Sequence, residues 1–350
     1  MSFTPFNAPL LSGLLGDMEM AAHFSVAAEL DAAIRIEIAL AKACADAGLI
    51  SQEAATAIET CAFEPDVKAL NAASARDGVY VPEFVKQFRA RVGEPHSTTL
   101  HVGATSQDVV DTSLMMRLKK ANSLLVDRCE TIGGALDTLI HTYGDQPLMG
   151  RTRMQQALPI TVSDRLDSWR RPVKSSTANL TAAQDQFPLQ LGGPVGTRDT
   201  FGIHADEICA AMADALGLAD APAWHTDRSA LCDFVHELTK LTTALGKMGQ
   251  DIALMAQNEI AEIKLSGAGG SSAMPHKQNP VLAESLVTLA CFNASLAGGF
   301  NHSALHEQER SGSNWTLEWM LLPQICVAAG AATRNAIQLL GSIEFLGKQQ

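Results

Sequence analysis

Residues 231–263 read LCDFVHELTKLTTALGKMGQDIALMAQNEIAEI. Their apolar positions recur at steps mostly of three and four over about nine turns, which is the period of one helix face. Such a run is longer than an ordinary globular helix and is typical of helix bundles. Similar periodicity covers residues 108–143, 163–186, 280–301 and 316–343. The sequence therefore predicts an all-α protein built around long, roughly antiparallel helices.

Residues 1–107 have a different pattern. Shorter helices, expected at residues 18–30, 31–47 and 51–61, are interrupted by Gly, Pro and Asn. We therefore expect a smaller N-terminal helical domain over 1–107, followed by the long-helix bundle over 108–350.

Composition limits the classes of function. The chain has 350 residues, of which 18% are charged, and a formal net charge of −12, which argues against nucleic acid or an anionic membrane as partner. No basic segment with a following apolar run opens the chain, and no uninterrupted apolar run is long enough to span a membrane, so we expect a soluble cytoplasmic protein. Seven cysteines stand singly, without metal-binding spacing, and are expected to be reduced and mostly buried.

The polar segments that interrupt the long helices are the places to look for chemistry. The strongest is GGSSAMPHKQNP at residues 269–280, where an Asn279 N-cap and Pro280 at the first helical position would start the next helix. A helix connection needs neither the serine pair nor the lysine in this segment. These residue types therefore indicate a functional loop.

Four other segments interrupt the predicted helices, the last of them at residues 306–315. In HVGATSQD (101–108), Thr105 and Asp108 fit a helix capping box. GRTRMQQALP (150–159) concentrates arginine and glutamine. GGPVGT (192–197) has no preceding strand, so we expect a turn packed near the active site rather than a nucleotide site.

Residues 270–280 match G-S-S-x-M-P-x-K-x-N-P at every fixed position, and this resembles the signature of the fumarase/aspartase superfamily. Residues 105–108 and 150–159 resemble the family's T-S-x-D and G-R-T-x-x-Q-x-A-x-P regions, and the likeness covers essentially the whole chain. It implies an enzyme without metal or cofactor that works through an enediolate, in a homotetramer whose active sites combine segments of three subunits. Many members continue into a C-terminal domain, which we expect to be reduced or absent here.

The resemblance also implies roles for individual residues. Ser271 would carry the proton, and Lys277 with Asn279 would hold the carboxylate that takes up the enediolate charge. His276 is expected to be part of the loop structure or a neighbour of the substrate rather than a catalyst. The other expected contacts with a small tricarboxylate substrate are His101, Thr105, Ser106, Gln107, Gln155, Ser272, Met274, Glu284 and Arg310.

Position 153 departs from most lyases of the family, which have a histidine there that handles the leaving-group proton. Arginine does not titrate near neutral pH and cannot be a general acid. A carboxylate leaves unaided, because its conjugate acid has a pKa of about 4. We therefore expect the branch of the family that closes a carboxymuconate to a lactone in aromatic catabolism. Arg153 would neutralise or orient the attacking carboxylate. Whether Arg153 also forms an ion pair with Glu284 is not decided by the sequence.

The sequence is also compatible with two other functions. The first is a lyase of the same superfamily acting on adenylosuccinate or argininosuccinate, against which Arg153 counts. The second is a non-catalytic structural protein on this scaffold, against which the intact loop residues Ser271, Lys277 and Asn279 count.

Overall fold

The computed structural model describes residues 4–267, 269–270, 274 and 277–348. Ser271, Ser272 and His276 of the expected catalytic loop lie outside the described residues. The helices are α1 (Ser12–Leu15), α2 (Met18–Ala22), α3 (Val26–Asp46), α4 (Gln52–Glu59), α5 (Val67–Asp77), α6 (Val81–Val92), α7 (Ser106–Tyr143), α8 (Val162–Ala183), α9 (Ala205–Leu216), α10 (Ser229–Met255), α11 (Val281–Ser303) and α12 (Ser313–Gly341), with 3-10 turns at Ser97–Thr99 and Asp199–His204.

The long helices α7, α8, α10, α11 and α12 pack together, so the predicted all-α bundle is confirmed. Their bounds agree with the periodicity to within a few residues, except that α10 ends at Met255 rather than at 263. The chain turns there, with Ala261 at a φ of 49°, and then enters a short strand. The apolar residues beyond 255 thus follow the helical period without belonging to the helix.

Two local predictions were wrong. The helix expected at 18–30 is broken, because the Ser25 side chain caps a new helix by accepting a hydrogen bond from the Ala28 N–H at 3.2 Å. The N-cap of α11 is Pro280 rather than Asn279. The Asn279 backbone instead pairs with Gly269, through N–H to O distances of 2.8 and 2.9 Å.

Two small antiparallel sheets interrupt the helical fold. Strands β1 (Pro147–Thr152) and β2 (Gln155–Thr161) form a hairpin that contains the G-R-T segment, and β3 (Ile263–Leu265) pairs with β4 (Ile343–Leu346). Residues 152–159 are all exposed. A strand without a buried face has no period-two apolar pattern, which is why the sequence did not predict this hairpin.

The apolar core has two parts. One lies among the long helices and includes Trp169 of α8. The other packs α3, α4, α5 and α6 against α9 and the first turns of α7. Residues of α9 therefore share a core with the N-terminal helices, although they lie far beyond residue 107 in sequence.

Helix α11 is unusually apolar for its exposure. Its mean hydropathy of 1.5 and its length would suit a membrane span, yet only 33% of that window is buried within the chain. A helix of this composition also occurs in the core of soluble proteins, and α11 packs on α10 and α12. An apolar helix face is therefore left uncovered by the rest of the described chain.

Candidate active site

The first cluster of expected site residues lies at the N-terminus of α7. The Asp108 carboxylate accepts hydrogen bonds from the N–H groups of Thr105 at 2.8 Å, Gly192 at 2.7 Å and Gly193 at 3.0 Å. The capping box at Thr105 is thus confirmed. The glycine-rich turn packs against the start of α7, and Gly193, with a φ of 70°, has the backbone conformation that side chains disfavour.

Arg310 joins this cluster from the loop before α12. Its Nε donates to Gln107 Oε1 at 2.8 Å, and its Nη2 lies 3.3 Å from Thr105 Oγ1 and 3.2 Å from the Pro194 carbonyl oxygen. Gln107 is fully buried, so its side chain faces Arg310 rather than open space. Thr105 and Ser106 are partly buried at the helix N-terminus, where unpaired N–H groups and the helix dipole favour an anion.

His101 lies beside this cluster but is already paired. Its Nδ1 is 2.6 Å from Glu37 Oε1, and both side chains are largely buried. Burial alone would favour the neutral ring, but the Glu37 carboxylate raises the pKa of His101 above its ordinary value. Glu37 was not predicted from the sequence, because nothing in α3 distinguishes it from a surface glutamate.

The second cluster comprises the described residues of the expected catalytic loop and the start of α11. The Gly269–Asn279 pairing closes the base of the loop, and a Cβ on Gly269 would lie 2.6 Å from Val281 Cγ2, so the site excludes a side chain. The Lys277 N–H donates to the Met274 carbonyl oxygen at 3.0 Å. The expected residues that line one cavity of about 460 Å³ here are Met274, Lys277, Asn279 and Glu284.

The third cluster is the tip of the β1–β2 hairpin. Arg153 and Met154 form its two-residue turn, with φ values of 49° and 67°. Arg153 lines a separate cavity of about 480 Å³, and Gln155 is exposed at the start of β2. Arg151 anchors the hairpin through a bidentate contact with the buried Glu262, at 2.8 and 2.9 Å.

The hairpin and loop cavities are neighbours that do not merge. Both include Gln257, which follows the C-terminal end of α10. Arg153 and Glu284 line different cavities, and the ion pair considered for them is not formed in the described part of the chain.

The first cluster lies at the opposite end of the bundle from the other two. Arg228, the N-cap of α10, contacts Asp111 in the first turns of α7, whereas the C-terminal end of α10 lines the loop cavity. The 27 residues of α10 span about 40 Å at 1.5 Å per residue. The hairpin follows the far end of α7, whose 38 residues span about 57 Å. One chain therefore does not bring Arg310 and Lys277 to the same site.

Within the part of the chain that the structure describes, no group of three His, Cys, Asp or Glu side chains could hold a metal ion. The groups available for chemistry in these clusters are cationic side chains, amides, hydroxyls and helix N-terminal N–H groups. They are suited to binding several carboxylates and to stabilising negative charge.

Comparison with known proteins agrees with this chemistry. Residues 18–296 match a family model described as Lyase. The 3-carboxy-cis,cis-muconate cycloisomerase of Acinetobacter baylyi is 34% identical over 96% of this chain and 77% of that protein. The nitrosuccinate lyase of Streptomyces davaonensis is 34% identical over 95% of this chain and 74% of that protein. The crystal structure of the 3-carboxy-cis,cis-muconate lactonizing enzyme from Pseudomonas putida superposes with a TM-score of 0.90 at 32% identity, covering 97% of this chain and 77% of that chain.

Proposed function

Because the chain belongs to this lyase family, the fumarase/aspartase superfamily, we propose that it converts 3-carboxy-cis,cis-muconate to 4-carboxymuconolactone in protocatechuate catabolism. One substrate carboxylate oxygen adds to a carbon–carbon double bond, and the displaced π electrons pass into a neighbouring carboxylate as an enediolate. Protonation of the adjacent carbon then completes the lactone. The reaction needs cations around three carboxylates and one proton donor.

The observation that carries this proposal is Arg153 at the exposed hairpin tip. A guanidinium is not a proton donor at neutral pH, so the site is suited to a nucleophile or leaving group that exchanges no proton there. A carboxylate meets that condition. Arg153 orients the attacking carboxylate, Lys277 and Asn279 stabilise the enediolate, and Ser271 delivers the proton.

We propose that the enzyme is a cytoplasmic homotetramer whose active site draws segments from three chains. The separation of the Arg310 cluster from the catalytic loop by about the 40 Å length of α10 supports shared sites. The uncovered apolar face of α11 and the exposed Met154 and Leu158 of the hairpin, each 73% exposed, support contacts with further copies. In that arrangement Thr105, Ser106, Arg310 and the adjacent His101 come from one chain and Lys277 from another.

An ultraviolet assay that follows loss of the conjugated 3-carboxymuconate diene tests the activity. Lys277→Ala and Ser271→Ala should each lower kcat/KM by about a hundredfold or more, since each removes a group that stabilises charge or moves the proton. Lys42→Ala is the matched control, because Lys42 pairs with Glu59 on the surface of the N-terminal helices. Unchanged rates in Lys277→Ala and Ser271→Ala would refute the assigned site, and an inactive wild type would refute the function.

A nitrosuccinate-type lyase is a second candidate. Elimination from nitrosuccinate releases nitrite, which like a carboxylate departs as an anion, so Arg153 suits this reaction as well, and the Streptomyces davaonensis relative is as similar as the cycloisomerase relative. A colorimetric nitrite assay on the wild type separates the two. Adenylosuccinate and argininosuccinate lyase activities, which need a proton at the leaving group, should be undetectable in wild type.

A further inference from the structure

A group of buried charged side chains lies behind Arg310. The Arg228 guanidinium donates to Asp111 at 2.7 and 3.2 Å and to Glu318 at 2.9 and 2.6 Å. Burial alone would lower the pKa of Arg228, but the two carboxylates raise it above its ordinary value. Apolar residues of similar volume would often give equal stability at such a place. The presence of this charge cluster is therefore weak evidence for a role in stability alone.

Gln107 connects the charge cluster to Arg310. Its Nε2 donates to Asp111 Oδ2 at 3.1 Å and to the His225 carbonyl oxygen at 2.8 Å. Both of these partners only accept, and Arg310 only donates, so the amide has one orientation that satisfies all three. In that orientation Oε1 faces Arg310 Nε at 2.8 Å.

The loop that carries Arg310 passes beside the same cluster and is closed by its own hydrogen bonds. The His306 ring is buried with its Nε2 3.3 Å from Glu318 Oε1, in a geometry that does not form a hydrogen bond. The Asn314 side-chain amide donates to the Leu305 carbonyl oxygen, and the Asn314 N–H donates to Ser311 Oγ at 3.1 Å. The loop is thereby fixed on both sides of Arg310.

We propose that Arg228 is a positioning residue for Arg310, which it directs through Asp111 and Gln107. Gln107 then orients Arg310 rather than binding substrate itself. This inference rests on the proposed function, in which Arg310 binds a substrate carboxylate. A misplacement of about 1 Å in such a group can cost a hundredfold in rate.

A double-mutant cycle on Gln107 and Arg310 tests the proposal in the full-length enzyme. Gln107→Leu should raise KM about tenfold with a smaller change in kcat, because the guanidinium loses the acceptor that orients it. In an Arg310→Ala background, Gln107→Leu should have no further effect on KM. Arg228→Met should raise KM, because Asp111 and Gln107 lose the guanidinium that fixes their positions. Arg228→Lys should reverse part of that rise, since lysine keeps the charge but not the bidentate geometry.

Thr112→Val is the matched control, because Thr112 lies on the same helix and its buried hydroxyl donates to the Gln190 carbonyl oxygen at 2.7 Å. It should lower the melting temperature without raising KM. If Gln107→Leu and Arg310→Ala each raise KM and their effects multiply in the double variant, the proposal is overturned. An unchanged KM in Gln107→Leu would also overturn it.

A crystal structure of Gln107→Leu adds a readout that needs no activity. The Arg310 guanidinium should move away from Thr105 and Pro194. An unmoved guanidinium would contradict the inference whatever the substrate proves to be.

Discussion

Glu37 and His101 form a largely buried pair beside the candidate site. Glu37 is 1% exposed, and its Oε2 has no hydrogen-bond partner among the described residues, so the 2.6 Å contact with His101 is its main source of stabilisation. The backbone of His101 has a φ of 64°, a conformation that few side chains adopt without compensation.

We expect His101→Gln to lower the free energy of unfolding by about 1–3 kcal/mol in mildly acidic solution. The pKa of His101 is raised in the folded state from an unfolded value of 6.5. The ion pair therefore contributes fully below pH 6.5, and its contribution is lost as the pH rises through the raised folded pKa. Urea unfolding of wild type and variant across this range measures the difference.

Glu37→Gln is the control for this prediction, because it removes the same ion pair from the other side. It should remove the stabilisation that His101 gains in acid, and because burial alone lowers the pKa of His101, acid should then destabilise the Glu37→Gln protein. His101→Gln added to it should remove that reversed dependence. Wild-type and His101→Gln stabilities that stay parallel at all pH values would show that the histidine is not stabilised in its charged form.

At the scale of elements, the β1–β2 hairpin shows why its G-R-T segment begins with glycine. A Cβ at Gly150 would lie 2.8 Å from the Leu158 carbonyl oxygen on the opposite strand. The register shifts at this point, between Met149 and Arg151, so the strands approach closely. The position of Arg153 at the tip depends on this close approach.

Gly150→Ala should therefore displace β2 and lower kcat/KM about tenfold or more, since Arg153 moves with the hairpin tip. We expect a loss of about 1–3 kcal/mol in unfolding free energy from the forced shift. Steady-state kinetics and chemical denaturation measure the two effects. The control is Gly133→Ala in α7, where the added Cβ meets nothing within 4 Å. Equal activity in the two variants would mean that the hairpin does not position Arg153.

At the scale of the whole molecule, the separation of the clusters leads to a test of shared active sites. In the proposed homotetramer, the Lys277→Ala and Arg310→Ala variants should each be nearly inactive. When the two variants are dissociated together and reassembled, about a quarter of the sites should receive intact segments from both chains, since each segment is drawn with an even chance. Recovered turnover measures this fraction. No recovery in verified mixed tetramers would place both residues in one chain's site.

Cysteine reactivity tests whether α11 is covered in the assembly. Cys291 is exposed on α11 in the single chain, and Cys61 in the N-terminal helices is partly exposed. Iodoacetamide should label Cys61 faster than Cys291 in the native protein, because in the proposed tetramer further copies cover α11. Burial raises the pKa of Cys44 to about 11 and that of Cys129 to about 12, so both should stay unlabelled. Rapid labelling of Cys291 in a tetramer would exclude α11 from the interface.

The sequence by itself determined the long helices and the capping box at Thr105, and it marked the segments that are proposed to carry the chemistry. Apolar periodicity and caps are properties of neighbouring residues, so they can be read without knowing the fold. Local pattern gave the wrong prediction at Ser25, where the signal for a helix cap is weak. It gave no prediction for the hairpin around Arg153, because exposed strands have no alternating apolar pattern.

Only the tertiary structure decided which of these segments meet. Arg228 contacts Asp111 and Glu318, which are 117 and 90 residues away along the chain, and no local signal marks any of the three. The separation of Arg310 from Lys277 likewise follows from the direction and length of α10. Contacts between distant residues depend on how whole helices pack, and helix packing is a property of the assembled core rather than of any one segment.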